Sequence, residues 1–292
     1  MNSAIVTGAA GFAGLNLVEQ LLENGYKVYG IVRPGSQNNS RLPQNPNFIK
    51  VELEAEDYAL IEEQVPESCD YFYHMTWSGR GGRNNFEEQI KNIDYTLDAL
   101  RSAAKLGCRK FIGTGSQAEY GVKLELITED LCPEPFCAYG AAKVAACQLS
   151  KNLAKQLGIE WCWGRIFSLY GKYEPSGRML PDLIEKLKDN EEVHLSSCRQ
   201  MWDYLDAVDG AEAFIAIGER GHDGEIYNVA NGDYHELKWF TEAMKRSLHS
   251  SSNIIYGDDP NPFVSLQPSV TKIAEHTGWK ARIEFGGELI HG

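Results

Sequence analysis

A glycine-rich segment near the N-terminus, Thr7-Gly8-Ala9-Ala10-Gly11-Phe12-Ala13-Gly14, limits the possible folds of this chain more than any other feature. A short apolar run over residues 3–6 precedes it, and apolar residues at helical spacing follow it. A glycine turn between a strand and a helix lets the backbone approach a pyrophosphate, with the helix N–H groups facing the anion. The sequence therefore predicts a dinucleotide site that includes Gly8, Gly11, Phe12 and Gly14.

The end of the second predicted strand, residues 27–32, indicates which dinucleotide fits. An acidic side chain there would accept hydrogen bonds from a ribose 2′-hydroxyl, whereas an arginine accommodates a 2′-phosphate. The strand runs into Arg33-Pro34-Gly35-Ser36, which contains no acid. Because Arg33 can pair with a phosphate and Ser36 can donate to it, NADP(H) is favoured and NAD(H) is the alternative. A solvated loop arginine without a ligand would explain the same residues.

The order of the predicted elements sets the fold class. The sequence predicts helices over 86–106, 139–157 and 180–188 and six strands, at 3–6, 27–32, 47–53, 70–75, 110–114 and 159–167. Strands that alternate with helices indicate an α/β fold with a doubly wound parallel sheet of the Rossmann type. We expect a Rossmann domain over 1–167, to which 200–230 also returns, and a smaller C-terminal substrate-binding lobe over 168–292.

Composition argues against several classes of protein. A net charge of −13 without a cluster of Lys and Arg disfavours a nucleic-acid polymer as partner. The longest apolar runs are far below the roughly 18 residues that span a bilayer, and no basic leader precedes the first strand. The seven cysteines show neither Cys-x-x-Cys spacing nor a histidine at metal-ligand spacing. We therefore expect a cytoplasmic protein without a metal or a membrane partner.

Two tyrosines are followed by a lysine four residues later, Tyr139 by Lys143 and Tyr234 by Lys238. A tyrosine with an ordinary pKa of ~10 needs a nearby cation to exchange a proton at neutral pH, and positions i and i+4 of a helix share a face. Only the first pair follows a strand end that carries a hydroxyl, that of Ser116. The sequence predicts proton transfer at Tyr139 and Lys143 and a coincidence at the second pair. A packed tyrosine beside a solvated lysine is the alternative for the first.

The glycine loop, the Ser116 strand end and the Tyr139/Lys143 pair together resemble the extended short-chain dehydrogenase/reductases of the NAD-dependent epimerase/dehydratase family, which act on nucleotide sugars. The resemblance implies that Ser116 binds the carbonyl or hydroxyl of the sugar, that Tyr139 is the acid/base and that Lys143 lowers the tyrosine pKa. It also implies a nucleotide-diphosphate sugar as the substrate and a homodimer formed through helices 86–106 and 139–157. The cofactor contacts that it implies, beyond the glycine loop, are Glu52, Leu53, Met75, Thr76, Tyr139 and Lys143.

Three reactions share this apparatus: 4-epimerisation, 4,6-dehydration and 4-keto reduction. Dehydratases of the family typically carry an Asp-Glu pair directly after the catalytic hydroxyl, where this chain has Gln117-Ala118. Epimerases retain NAD and reductases exchange NADPH, so Arg33 favours reduction. The segment Gly115–Gly121 also resembles that of reductases of NDP-4-keto-6-deoxyhexoses. We predict such a reductase, with a 4-epimerase and a catalytically idle NADP(H)-binding sensor or scaffold as alternatives.

The expected substrate contacts are Gln117, Ser168, Arg178 and Arg199. The family's Arg-x-Phe-Asn-x-Tyr-Gly segment occurs here with Ser168 in place of the asparagine. The family arginine that precedes Asp-Phe/Tyr is replaced by Trp202, and Arg199 stands three residues earlier. Arg178 and Arg199 are candidate phosphate partners, although each is better explained as a surface charge when judged alone.

Overall fold

The structure, a computed structural model, describes residues 1–79 and 82–286, in which strands and helices alternate. The strands are β1 (Ser3–Thr7), β2 (Lys27–Val32), β3 (Phe48–Glu52), β4 (Tyr71–His74), β5 (Lys110–Ser116), β6 (Glu160–Ile166), β7 (Ser168–Tyr170), β8 (Val193–Leu195), β9 (Met201–Trp202), β10 (Tyr204–Asp206), β11 (Glu225–Val229), β12 (His235–Glu236) and β13 (Ile254–Tyr256). The helices are α1 (Phe12–Glu23), α2 (Ile61–Gln64), α3 (Phe86–Lys105), α4 (Ala138–Leu157), α5 (Met179–Lys188), α6 (Ala207–Arg220), α7 (Leu237–Ser247) and α8 (Thr271–Thr277). Three 3-10 turns span Gln37–Arg41, Ala55–Leu60 and Gln117–Glu119.

Seven strands form one parallel sheet in the order β11-β6-β5-β4-β1-β2-β3. β1 pairs with β2 on one side and with β4 on the other, so the direction of winding reverses there. In open α/β sheets a ligand binds in the crevice outside the carboxyl ends of the strands at this reversal. The predicted Rossmann-type sheet is confirmed, and the glycine loop lies at its switch point.

The seventh strand comes from outside the first 167 residues. β11 pairs in parallel with β6 at one edge of the sheet, and α6, which precedes it, packs against α1. The sequence predicted six strands, one fewer than the sheet contains. The five residues of β11 include a glutamate and an asparagine, so this edge strand gives too weak an apolar pattern to stand out.

The sheet is buried on both faces because each strand alternates its side chains between two layers of helices. Ala4 and Val6 of β1 belong to a hydrophobic cluster that includes Leu17 of α1. Ile5, between them, belongs to a second cluster that includes Leu100 of α3. Since successive residues of a strand point to opposite faces, one short apolar run supplies both layers.

After β6 the chain also forms three two-stranded sheets, β7 with β10, β9 with β12 and β8 with β13. α5 and α7 pack beside them on a cluster that contains Tyr170, Tyr204 and Phe240. These sheets are shorter than the central one, and aromatic side chains provide much of their core. The division at residue 167 into a cofactor domain and a substrate lobe stays a prediction.

Within the described ranges no helix is long and apolar enough to cross a bilayer. All seven cysteines are free thiols, and five of them are buried.

Candidate active site

The loop between β1 and α1 has a geometry that only glycine allows. Gly8 has a φ of +65°, and a Cβ there would lie 3.0 Å from the Thr76 hydroxyl oxygen. A Cβ on Gly14 would collide with the Gly8 carbonyl, so Gly14 lets the first turn of α1 close on the loop. No side chain of the described residues caps α1 at Gly11. Unsatisfied N–H groups at a helix N-terminus favour an anion, so the cradle fits the pyrophosphate of a dinucleotide.

Thr7 fixes the crevice beside the glycine loop. Its hydroxyl accepts hydrogen bonds from the N–H groups of Met75 at 3.2 Å and Thr76 at 3.3 Å, and it lies 3.0 Å from Nδ1 of His74. The Thr114 hydroxyl donates to the Met75 sulfur at 3.0 Å. The predicted cofactor residues Met75 and Thr76 therefore lie between the ends of β1 and β5, adjacent to the glycine turn.

His74 and Tyr58 complete this crevice. His74 is buried, and Oγ1 of Thr96 lies 3.2 Å from its Nε2. Burial, together with the nearby charge of Lys143, lowers the pKa of His74 to about 3, so its imidazole is neutral at physiological pH. The Tyr58 hydroxyl lies 2.6 Å from that of Thr76, and burial raises the Tyr58 pKa to about 12. The partners of both side chains are far away in the sequence, so no local pattern pointed to either contact.

The predicted ribose end of the cofactor site lies where β2 and β3 stop. The Arg33 carbonyl accepts from the Asn39 side chain at 3.0 Å and from the Ser36 N–H at 3.4 Å, so the loop folds back on itself. The side chain of Arg33 is exposed. Leu53 donates its N–H to the Val32 carbonyl at 3.0 Å, which brings the ends of the two strands together.

Two of the predicted site residues form ion pairs at the surface. Glu52 lies 3.0 Å from the Lys50 ammonium. Arg199 forms a two-point contact with Asp259, whose carboxylate also accepts from Ser197. Exposed pairs of this kind contribute little stability, and an anionic ligand at Arg199 would have to compete with Asp259.

Ser116 ends β5 and begins the 3-10 turn Gln117–Glu119. Its Oγ accepts from the Ala118 N–H at 3.2 Å, and its own N–H donates to the Glu119 carboxylate at 2.9 Å. A hydroxyl that accepts one hydrogen bond still has its own hydrogen to donate. The residue is largely buried at the carboxyl edge of the sheet, and Gln117 next to it is partly exposed.

A buried ion pair holds this turn against the neighbouring strand β6. Nε of Arg165 lies 2.7 Å from Glu119, and the Trp163 indole donates to the other carboxylate oxygen at 3.0 Å. The Arg165 guanidinium also lies 4.5 Å from the Tyr120 ring centroid. The Glu119 carboxylate thus has three donors, with the Ser116 N–H as the third. The pair fixes the backbone of Ser116, and the sequence analysis missed it because its members are 46 residues apart.

Tyr139 and Lys143 occupy the first turns of α4, on one face of the helix. A Cβ on Gly140 would collide with the Ala118 carbonyl, so this glycine allows α4 to approach the turn that begins at Ser116. Lys143 is 2% exposed, and its ammonium donates to the Thr114 carbonyl at 2.5 Å. The three residues predicted to be catalytic therefore come from one strand end and the helix packed directly on it.

The second tyrosine-lysine pair has no such arrangement. Tyr234 precedes β12, and Lys238 lies in α7, so the two residues do not share a helix face. Lys238 is exposed, with its ammonium 4.4 Å from the Tyr256 ring centroid.

Arg178 and Ser168 lie on elements that follow the main part of the sheet. Ser168 begins β7 and is partly buried. Arg178 precedes α5, lies 3.5 Å from Glu174 and places its guanidinium 5.4 Å from the Phe12 ring centroid. Arg178, which the sequence analysis assigned to the substrate, is therefore beside the glycine loop as well.

Most of the chain is similar to proteins of one known family. Residues 4–230, well over half of the chain, match the model of the NAD dependent epimerase/dehydratase family. The chain is 26% identical to CDP-abequose synthase of Salmonella muenchen, with 96% of this chain and 93% of that protein covered. It is 24% identical to a putative UDP-glucose 4-epimerase of Methanocaldococcus jannaschii, with 96% and 94% covered.

Solved structures share the fold. UDP-glucose 4-epimerase of Thermotoga maritima, determined with UDP-glucose, superposes with a TM-score of 0.86 at 24% identity, over 99% of this chain and 96% of that one. DesIV of Streptomyces venezuelae, a dTDP-glucose 4,6-dehydratase determined with NAD, superposes with a TM-score of 0.86 at 20% identity, over 99% and 95%.

Proposed function

We propose that this chain, which belongs to the NAD dependent epimerase/dehydratase family, is an NADPH-dependent reductase of an NDP-4-keto-6-deoxyhexose. Membership of the family makes it an NAD(P)-linked oxidoreductase or epimerase. The observation that carries the finer proposal is the loop that ends β2, which contains an exposed Arg33 and no acid and therefore favours NADPH, the cofactor that reductases exchange. The packing of α4 on the Ser116 turn through Gly140 supports the chemistry, because it gathers the residues with a phenol, a hydroxyl and a buried ammonium at the carboxyl edge of the sheet, where ligands of such folds bind.

Each of these groups has a role in carbonyl reduction. When bound, the reduced nicotinamide supplies a hydride. Tyr139 donates its phenolic proton to the carbonyl oxygen of the sugar, and Ser116 donates a hydrogen bond to the same oxygen. The positive charge of Lys143 favours the phenolate that Tyr139 becomes when it gives up the proton.

The surroundings of Ser116 support reduction over dehydration. Dehydration needs an acid and a base near the sugar, but the two residues after Ser116 are Gln117 and Ala118. The next residue, Glu119, is a carboxylate, but Arg165 and the Trp163 indole hold it in the interior. It is therefore not placed to remove a proton from the substrate.

We assign Arg33 and Ser36 to the 2′-phosphate of NADP(H), since both lie in the loop that ends β2 and the Arg33 side chain points to solvent. NAD(H) is the second candidate, because solved relatives of this fold were determined with NAD. Fluorescence titration with NADPH and NADH tests the assignment. Arg33→Met should weaken NADPH by about 10-fold or more and leave NADH unchanged, because only NADPH carries the phosphate.

A nucleotide-diphosphate sugar is the proposed substrate, held between the central sheet and the smaller lobe formed by the described residues after 167 other than α6 and β11, with Gln117, Ser168, Arg178 and Arg199 as its contacts. We further propose a cytoplasmic homodimer. α3 and α4 pack on each other and expose Phe86, Ile90 and Leu149, of which Phe86 is 65% exposed. Such apolar side chains on two adjacent helices favour association with a second copy. Sedimentation equilibrium distinguishes a dimer from a monomer.

A nucleotide-sugar 4-epimerase is the second candidate function. The similarity to a putative UDP-glucose 4-epimerase over 96% of this chain favours it. An epimerase returns the hydride to the same sugar, so it retains its oxidised cofactor and needs no added NADPH. A cofactor-binding sensor or scaffold would bind NADP(H) but no nucleotide sugar.

The deciding experiment measures cofactor content and turnover on one preparation. The purified protein is denatured and its released nucleotide identified, and NADPH oxidation is then followed with a panel of NDP-4-keto-6-deoxyhexoses. Substrate-dependent oxidation of NADPH supports the reductase. Stoichiometric bound NAD, with conversion of an NDP-hexose and no net oxidation, would replace it with the epimerase.

A further inference from the structure

We propose that Trp77 is a positioning residue of the active site, a single indole that holds both Tyr139 and Lys143 in place. The inference rests on the proposed function, in which these two residues carry the proton transfer. Trp77 follows β4 by three residues and is 8% exposed. It belongs to neither the glycine loop nor the tyrosine-lysine helix.

The face of the indole is against the ammonium of Lys143. Nζ lies 3.8 Å from the Trp77 ring centroid and 5.9 Å from that of Trp163. A cation over an aromatic face is attracted by the ring quadrupole, most strongly where water is excluded. Because Lys143 is almost completely buried, the two indoles and the Thr114 carbonyl replace part of the hydration that its charge loses.

The same indole contacts the tyrosine that the lysine serves. The rings of Trp77 and Tyr139 meet edge to face, with centroids 5.9 Å apart and an interplanar angle of 88°. Such a T-shaped pair is a favoured geometry for two aromatic rings. One rigid side chain therefore sets the positions of the phenol ring and the ammonium relative to each other.

Trp77 itself is anchored from α3. Its indole N–H donates to Oε1 of Gln89 at 2.8 Å, and the Gln89 amide nitrogen donates to the carbonyls of Gly79 and Gly82 at 3.0 and 3.2 Å. Gln89 is 1% exposed, so this buried amide is engaged on both sides. The anchor fixes the plane of the indole, which decides where its face and edge point.

Trp77→Leu removes the indole and with it the ring contacts to Lys143 and Tyr139. Trp77→Phe keeps a smaller aromatic ring at the same position. We expect Trp77→Leu to lower kcat by about 30-fold while KM for the sugar stays within about threefold, since ground-state binding of the sugar does not use the indole. Trp77→Phe should recover most of kcat, because it restores an aromatic face and edge.

Trp161→Leu is the matched control. Trp161 is also buried, and its indole also donates one hydrogen bond, to Ser150 at 3.1 Å. It stacks on Trp163, 5.9 Å away, and lies near Lys151 instead of Lys143. Trp161→Leu should lower the melting temperature as much as Trp77→Leu does and leave kcat within about twofold. Equal losses of kcat in the two variants would overturn the proposal.

A spectroscopic signature separates this inference from the proposed function. In protein with labelled lysine, the side-chain protons of Lys143 should be shifted upfield by the Trp77 ring, and the shift should vanish in Trp77→Leu. If the shift is present but no sugar is reduced, the geometry stands and the reductase proposal fails. If a sugar is reduced with loss of activity in Tyr139→Phe, yet Trp77→Leu keeps full kcat, only the role of Trp77 fails.

Discussion

Tyr139–Lys143 and Tyr234–Lys238 have the same spacing in the sequence and entirely different surroundings in the fold. The first pair lies within the 20-residue helix α4, whereas the second is divided between the chain before β12 and the start of α7. Lys143 is buried, and Lys238 is exposed. Four-residue spacing therefore defines a common face only where one helix contains both residues.

The environments of the two pairs differ as much as their geometry. Around Lys143 the chain brings together a backbone carbonyl and two indoles, and Gly140 allows the helix to contact the Ser116 turn. Lys238 lies over the Tyr256 ring at the surface. A charge in water needs no such support, so the burial of Lys143 among these groups supports the role proposed for the first pair.

The largest expected effect is the loss of the Tyr139 hydroxyl. Tyr139→Phe should lower kcat for NADPH-dependent reduction by about 10³-fold, since it removes the proton donor, with the NADPH dissociation constant unchanged. Tyr234→Phe should leave kcat at the wild-type value. Steady-state kinetics and fluorescence titration measure the two quantities. Equal activities in the two variants would show that spacing misidentified the acid.

The two segments should also differ in how much one glutamate in each, Glu119 or Glu236, contributes to the free energy of unfolding. Glu119→Gln leaves the buried Arg165 charge without its carboxylate, and we expect a loss of about 3–5 kcal/mol in the free energy of unfolding. Glu236 is exposed, so Glu236→Gln should change it by less than about 0.5 kcal/mol. Urea denaturation of the three proteins provides the values. If Glu119→Gln lowered the free energy of unfolding by less than about 1 kcal/mol, the ion pair would not be what holds the Ser116 turn.

A fall in pH should change the free energy of unfolding in opposite directions through His74, which lies near the first pair, and Asp203, which lies near the second. Burial and the Lys143 charge lower the His74 pKa to about 3, so its neutral form stabilises the fold at neutral pH and this contribution is lost as pH falls below about 6.5. Burial raises the Asp203 pKa to about 6, and its carboxylate binds the N–H groups of Asn231 and Gly232, just before Tyr234. Since the Asp203 pKa is raised, its contribution is present at low pH and is lost as pH rises through about 6.

Between pH 7 and pH 5 we expect His74 to reduce the free energy of unfolding by about 2 kcal/mol and Asp203 to increase it by about 1 kcal/mol. His74→Gln should therefore make unfolding less sensitive to acid than in the wild type, and Asp203→Asn should make it more sensitive. Urea denaturation at the two pH values gives both differences. The same pH dependence in all three proteins would contradict the assignments.

The approach of α4 to the Ser116 turn depends on a single glycine, Gly140. Gly140→Ala introduces a Cβ against the Ala118 carbonyl, and we expect a loss of about 1–3 kcal/mol of stability together with a lower kcat. Ala141→Ser, a change at the exposed neighbouring position, is the control and should leave both values unchanged. A Gly140→Ala enzyme with wild-type kcat would show that close approach is not needed for catalysis.

Much of the central sheet was predictable, because its signals are local. Glycines between a strand and a helix, and apolar runs that alternate with helical patterns, predicted the Rossmann-type fold and the approximate bounds of β1 to β6. The edge strand β11 and the short strands β7 to β10, β12 and β13 were not predicted. β11 has a glutamate and an asparagine among its five residues, and the other six strands have only two or three residues each, so none of them shows a clear apolar period. Tertiary pairing determines where each begins and ends.

The candidate site divides in the same way. The sequence by itself determined the glycine cradle, the class of fold and the residue types at Ser116, Tyr139 and Lys143, since each depends on neighbours within a few positions. Only the tertiary structure decided that Trp77 and Gln89 hold the tyrosine-lysine pair and that Glu119 meets Arg165. It also showed that Tyr139 and Lys143 share one helix, whereas Tyr234 and Lys238 do not. The physical reason is that burial, ion pairing and ring contacts depend on distances in space, which the folded chain sets between residues far apart in sequence.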